Sequence, residues 1–511
     1  MTVGGHSEGP VHMTVETPST RTIDDLPGPP RLPLIGNAHQ LIRSSNRHMT
    51  FEKWARHYGP IIRFDSAGRL VVCISDADEV NAILRNRPDG FRRWSDQRKI
   101  SREMMSSTSL VFAEGEDWKR QRRLVVTALN TNHLHSYFDV VATSTERLHR
   151  RLAEAAREGR VLDIHHELTF YTVDITSALA FGHDLNALER GENELQGHIR
   201  RALRMVGRRL VWPFPYWRWF KLPADRALER SLAEIGRAVS GFIEQARMRM
   251  RERPELREEP ENFLEAMLAA QEADGRFTDN EIAGNTLAIL EAGESATAHM
   301  LGWTVWLLAA RPDVQARMAQ EADEVLGDER PFPCEYETVA SLHYTEAVLR
   351  EALRLKSVAP LLPVEPLMDT TICGTHIPAG TRLLLLTHYA GQKASVFQRA
   401  SDFEPERWLQ DDDGELRAFD QKSFLAFGAG PRFCPGRNLT FLETKMAMAM
   451  VARNFQIELD DSKGPVRDDF SSSMRAPHGL RVRVRLRERN GAMRRVSRSA
   501  AGEDPQERRS P

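Results

Sequence analysis

The sequence has few cysteines, no long uncharged apolar run and no excess of charge of either sign. Its 511 residues hold four cysteines, Cys73, Cys334, Cys373 and Cys434. They are widely spaced, with no C-x-x-C pair and no Cys/His cluster at zinc spacing, which argues against a disulfide scaffold or a zinc module. Four scattered thiols suit a reducing compartment. Lys and Arg number 70 against 72 Asp and Glu, a net charge of -2, so nothing global points to nucleic acid or acidic lipid as a partner. The stretch from Met1 to Asp25 is polar and has no apolar run of signal-peptide or anchor length, so a cytoplasmic setting without a transmembrane anchor is expected. No internal repeat is visible.

What is present is an ordinary globular composition, 41% hydrophobic and 28% charged, with ample material for a core that could enclose a flat apolar cofactor. Residues 1–26 read as a disordered leader, and the entry Pro27-Gly-Pro-Pro-Arg-Leu-Pro33 as stiff, extended chain. A helix near Phe51–His57, strands at Ile61–Asp65 and Leu70–Ile74, and a helix from Ser75 or Asp76 follow. From about Gly115 to Gln320 the pattern is helix after helix. The longest runs from Thr278 to about Arg311, opened by the capping box Thr278-Asp-Asn-Glu281 and closed by Pro312. At 1.5 Å per residue it spans roughly 50 Å. Glu291, Glu294 and His299 interrupt its apolar character, so it reads as a buried central helix and not a membrane span. Leu480, Val482, Val484 and Leu486 alternate with arginines, the period of a strand with one exposed face. The fold class is therefore mainly α with minor β, the small sheets drawn from both ends of one domain over residues 27–487. Residues 488–511 read as a disordered, Arg-rich tail.

The most informative segment is Phe424-Leu-Ala-Phe427-Gly428-Ala-Gly430-Pro-Arg432-Phe-Cys434-Pro-Gly436, followed by a helix pattern over Arg437–Asn454. A cysteine just before a helix sits where free N–H groups and the helix dipole stabilise a thiolate. Glycines at 428, 430 and 436 let the backbone approach a flat partner closely. Arg432 can fork onto a carboxylate. The spacing F-G-x-G-x-R-x-C-x-G resembles the haem-binding loop of cytochromes P450, in a soluble, bacterial-type form. The resemblance implies heme b (iron protoporphyrin IX) with Cys434 as the iron ligand, Arg432 on a haem propionate and Phe427 beside the sulfur. It also implies the fold of that family, with the haem between the long central helix and the cysteine-loop helix.

Three further motifs stand in the order that the family shows. Trp118-Lys-Arg-Gln-Arg122 places an indole and a guanidinium on one helix face, where the resemblance implies contact with a propionate. Lys119, Arg120 and Arg123 would then face solvent and attract an acidic electron donor. Glu351-Ala-Leu-Arg354 has i,i+3 spacing and on its own reads as a surface ion pair. With Pro405-Glu-Arg407-Trp408 downstream, the resemblance implies a buried cluster supporting the cysteine loop, structural and not catalytic. The match spans about Pro27 to Leu486.

The central helix departs from the family. Ala292-Gly293-Glu294-Ser295-Ala296-Thr297 stands where A-G-x-acid-Thr-Thr/Ser is usual. Ala292 and Gly293 would leave an oxygen-sized notch over the iron. The usual acid and threonine, which pass protons to dioxygen, are Ser295 and Ala296 here, and alanine relays no proton. Glu294, Ser295 or Thr297 with an ordered water could take over, or the substrate could supply a hydroxyl. Alternatively the enzyme uses peroxide, or rearranges its substrate without oxygen. Gln392-Lys-Ala394-Ser395 also departs from the family, in a loop away from the iron. The aromatic run 211–220 is either a lid or ordinary packing.

The resemblance implies a monooxygenase of an apolar small molecule, in secondary metabolism, working as a monomer. No flavin or nicotinamide module is legible, so electrons are expected from a ferredoxin with its reductase or from a flavodoxin-like protein. A haem-binding sensor or carrier without turnover is the reading of a different class.

Overall fold

A single helix, Asp279–Ala309, runs through the centre of the computed structural model and organises what surrounds it. The structure describes residues 21–488 apart from 43, 45, 67, 104–108, 130, 192–193, 212–214, 276, 328–329, 410–422, 464–468, 471–473 and 476–478. The expected tail from 489 onward and most of the expected leader, residues 1–20, lie outside that description, as does part of the aromatic run. Residues 21–26 were expected with the leader but pack instead. Leu26 is buried, Arg21 bridges to Thr375, and Asp24 pairs with Arg63.

The central helix begins as its capping box requires: the Glu281 N–H donates to Thr278 Oγ1 at 3.2 Å, and the Thr278 N–H to Glu281 Oε2 at 2.9 Å. It ends before Pro312, which opens the next helix, Pro312–Leu326. Ile282, Thr286 and Leu290 bury the first half and Thr297 to Val305 the second. Between them Glu291, Ala292, Ser295 and Ala296 keep accessible surface. These positions fall at i, i+1, i+4 and i+5, one face of a helix. A deep helix with one bare face borders an internal cavity.

The helix Ile164–Phe181 lies along the central one and is buried over most of its length. The helix Gly115–Ala128 carries Trp118, and the helix Arg437–Asn454 follows the cysteine loop with nearly every side chain buried. Their apolar faces join in the largest core, with Leu124, Leu179, Leu301 and Met446 among its members.

The sheets stay small. Ile61–Asp65 pairs antiparallel with Leu70–Ile74, which pairs parallel with Leu383–Leu386, and Leu361–Pro366 and Phe91–Arg92 complete five strands. Arg481–Leu486 lies between Val161–Asp163 and Phe455–Leu459. Val482 and Val484 are buried as the alternation requires, but Leu486, at the strand end, is 51% exposed. The fold is mainly α with minor β.

Beneath the cysteine loop lies the expected charged cluster. Both Glu351 and Arg354 side chains are 0% exposed and share two hydrogen bonds of 2.7 and 2.9 Å. Arg407 Nε and Trp408 Nε1 donate to the same carboxylate at 3.0 and 2.8 Å. Arg354 also donates to the carbonyls of Gly391 and Ala400. Nearly every polar atom is satisfied, the condition under which buried charge persists.

Candidate active site

The cysteine loop is held by its own backbone. The Cys434 N–H donates to the Phe427 carbonyl at 2.9 Å. Gly430 has φ +67°, and a Cβ there would lie 2.5 Å from Arg85 Cα, so only glycine fits. Gly428, at φ +74°, faces open space. Gly436 caps the helix Arg437–Asn454, and the Phe427 ring packs 5.5 Å from Phe441. Burial pushes the Cys434 thiol up, while the N–H groups of Gly436 and Arg437 and the charge of Arg122 pull it down. Burial prevails, so a thiolate at Cys434 calls for a further cation. A bound metal ion deprotonates a coordinating thiol outright.

Around this loop the protein collects buried guanidinium groups. Arg432 lies 4.9 Å from the centroid of the buried Trp118 ring. Its Nη2 donates to the Ala113 carbonyl at 2.6 Å and to the Glu114 carboxylate. Its Nε has no partner, nor do Arg93 Nε and Arg87 Nε and Nη2. Burial, then the neighbouring positive charges, push Arg87 down to about 9. Burial likewise takes Arg432 to about 10, against the pull of Glu114 and with the help of Arg93 and Arg122. Buried donors and like charges at this density need anions. The two propionates of a protoporphyrin are such anions, and these residues together with Cys434 fit that group. Arg87 and Arg93 did not stand out in the sequence, where only their closeness to Pro88 and Gly90 sets them apart from surface arginines. Of the neighbouring basic residues, Lys119 and Arg123 are exposed. Arg120 is not free for a donor, because it is clasped by Glu281 at the start of the central helix.

Glu294, Ser295 and Thr297, the three residues expected to pass protons, do not share one side of the central helix. Ser295 and Ala296 lie on the cavity face with Ala292. Glu294 borders a crevice with Ser177, Phe181 and Ile199, and burial raises its carboxyl to about 7. Thr297 is buried near Glu443, whose carboxyl is pushed well up by burial. The Thr297 hydroxyl eases that shift, but neither Glu443 oxygen has a hydrogen bond of good geometry. Gly293 serves the helix crossing and not the notch, since a Cβ there would come 2.6 Å from Thr176 Cγ2. Ser295 Oγ lies 3.4 Å from His299 Nε2, a histidine that the sequence marked only as an interruption.

A lone cysteine at a helix start beside buried arginines, in a helical fold whose central helix keeps one bare face, is the arrangement of a haem-thiolate enzyme. The cytochrome P450 family model matches residues 26–484, and the chain belongs to that family. It is similar to the putative cytochrome P450 CYP13A7 of Caenorhabditis elegans, 27% identical over 84% of this chain and 88% of that protein. Cytochrome P450 3A5 of Homo sapiens is 25% identical, with 85% of each chain covered. The chloroplastic protein LUTEIN DEFICIENT 5 of Arabidopsis thaliana is 25% identical over 90% of this chain and 77% of that protein. The chain is accordingly an oxidoreductase of the monooxygenase kind that binds heme b, draws electrons from a redox partner and acts on small molecules. No helix among the described residues is long and apolar enough to cross a membrane.

Proposed function

We propose that Cys434 ligates the haem iron and that Arg432, Arg122 and Trp118, joined by Arg87 and Arg93, hold the propionates. The haem then lies between the cysteine loop, at Phe427, Gly428 and Gly436, and the face of Ala292, Ser295 and Ala296. The unpaired, buried guanidinium nitrogens beside Cys434 carry this reading. When bound, the haem supplies the reductive activation of dioxygen, and a thiolate ligand favours cleavage of its O–O bond. The protein's part is to exclude water, hold an apolar substrate against Ala292 and Ala296, and bring protons to the cavity. The catalytic body is residues 27–487 with residues 21–26 packed against it, a monomer in a reducing cytoplasm, which the four free cysteines suit.

The electron donor is a ferredoxin with its reductase, or a flavodoxin-like protein. A cleft of about 260 Å³ beside the cysteine-loop helix is lined by Arg437, by Asn438 and by Arg350 and Lys445, which both pair with Glu346, and the remaining excess of positive charge suits an acidic donor. Peroxide-driven or oxygen-independent chemistry is the second reading, favoured by one observation: Ala296 presents no hydroxyl to the cavity.

The test is the reduced carbon monoxide spectrum of the wild type and of Cys434→Ser. A thiolate-type band present in the first and lost in the second is the expected result. Well-folded, haem-loaded wild type without that band overturns the ligand assignment. Turnover of a spin-shifting apolar compound with a donor pair then supports the oxygen-activating reading, and turnover with peroxide alone selects the second.

A further inference from the structure

We infer that Ser295, His299 and His165 form a proton route into the cavity, taking the place of the acid and alcohol that this chain lacks at 295 and 296. The inference rests on the oxygen-activating reading above. His299 lies one turn beyond Ser295 on the central helix and is 6% exposed. Each of its ring nitrogens has a partner: Nε2 faces Ser295 Oγ at 3.4 Å, and Nδ1 faces His165 Nε2 at 2.8 Å. The two imidazoles lie nearly parallel, 18° between planes, with centroids 4.9 Å apart.

An N···N contact of that length joins one N–H to one lone pair, so the pair shares a proton. A proton accepted at His299 Nδ1 is matched by one released from Nε2, and the ring changes tautomer without holding charge. The Ser295 hydroxyl both accepts and donates, and it stands on the bare cavity face. At the outer end, His165 occupies the first turn of the helix Ile164–Phe181, beside His166 and Asp163, which are exposed. The route so assigned runs from the first turn of that helix, where His165 is itself 6% exposed, to the cavity. Monooxygenation consumes a C–H bond, one dioxygen, two electrons and two protons, and yields an alcohol and water. The donor supplies the electrons, and the route supplies the protons one at a time, both rings returning to their starting tautomers between the two transfers. Ser295 is the residue that meets the reacting cavity, and the two histidines act through it.

The experiment uses holoprotein with a ferredoxin, its reductase and NADPH, without organic substrate, and measures peroxide released against dioxygen consumed, in water and deuterium oxide. In the wild type part of the dioxygen is expected to be split to water, with a solvent isotope effect. In His299→Gln, proton supply falls on the order of tenfold, shifting the products toward peroxide. His165→Gln, nearer the surface, shifts them the same way if the first variant does not accumulate. Adding Ala296→Thr to His299→Gln restores water formation, which a purely structural role would not allow. Independently of turnover, histidine-selective 15N labelling of the reduced, carbon monoxide-bound protein should show coupling between the two imidazole nitrogens, lost in His299→Gln. Unchanged product ratios in both histidine variants overturn the route, as does the same loss caused by Glu291→Gln alone. A wild type that consumes no dioxygen with this donor or with a flavodoxin-type donor overturns the oxygen-activating reading, and the route with it.

Discussion

The Arg432 guanidinium sits 4.9 Å from the centre of the Trp118 ring, tying the cysteine loop to a helix from the first third of the chain. One face of the guanidinium is thereby covered by an indole, and its Nε points where no protein acceptor waits. Stacking fixes the plane of the fork, so that a carboxylate can be met with little loss of freedom. Replacing Arg432 by Met removes a charge-assisted hydrogen bond worth about 1.5–3 kcal/mol, or roughly ten- to a hundredfold in haem dissociation rate. Arg432→Lys keeps the charge without the fork and should fall between. Transfer of haem to excess apomyoglobin, followed by absorbance, measures the order. Equal rates in all three proteins would remove Arg432 from the haem contacts.

Glu351 accepts from Arg354, Arg407 and Trp408, and none of the first pair touches water. Glu351→Gln removes the charge that two buried guanidinium groups share. Breaking such a cluster from one side costs about 3–5 kcal/mol, because the remaining charges stay buried. The expected outcome is a sharply lowered denaturant midpoint, with haem lost in the same transition. A variant with wild-type stability would make the cluster a passive feature.

What could be read from the sequence was what is local in it. The cysteine loop, the capping box at Thr278 and the i,i+3 pair Glu351–Arg354 have spacings that fix geometry within a few residues, and the structure keeps all three. Arg120 looked like its basic neighbours, and only the approach of Glu281 from another helix commits it to a structural pair. Gly293 looked like part of a notch because its neighbour Thr176 is invisible in a linear pattern. The pairing of His165 with His299, and the meeting of Arg87, Arg93 and Arg432, likewise depend on how distant helices and turns dock. Spacing carries no information about which side of a helix another helix covers.

Glu291 lies on the bare face of the central helix, and burial pushes its carboxyl up to about 7 from an ordinary 4.5. A carboxyl raised in the folded state binds its proton more tightly there than in the unfolded chain. It therefore costs nothing below about pH 4.5, costs more as pH climbs, and reaches its full cost above about pH 7. Because the side chain keeps accessible surface in the cavity, solvent screening reduces that cost. Glu291→Gln should raise the melting midpoint at pH 8 and leave it unchanged at pH 4.5. Thermal scans of both proteins across that range check it, and a gain at low pH instead would mean that Glu291 is stabilised as the anion.

At Gly293 the central helix and the helix Ile164–Phe181 approach so closely that a Cβ would lie 2.6 Å from Thr176 Cγ2. Thr176 cannot swing away easily, for its hydroxyl donates to the Thr172 carbonyl at 2.7 Å and a β-branched side chain has few rotamers in a helix. Gly293→Ala must therefore spread the two helices or force a strained rotamer, at about 1–3 kcal/mol. Thr176→Ser removes the methyl and keeps the hydroxyl. In the double variant the added and deleted carbons should offset, so that the two changes together cost less than the sum of each alone. Denaturant unfolding of the four proteins measures that coupling. Additive costs would show that the crossing tolerates a methyl there, and would return Gly293 to the cavity face on which the motif alone had put it.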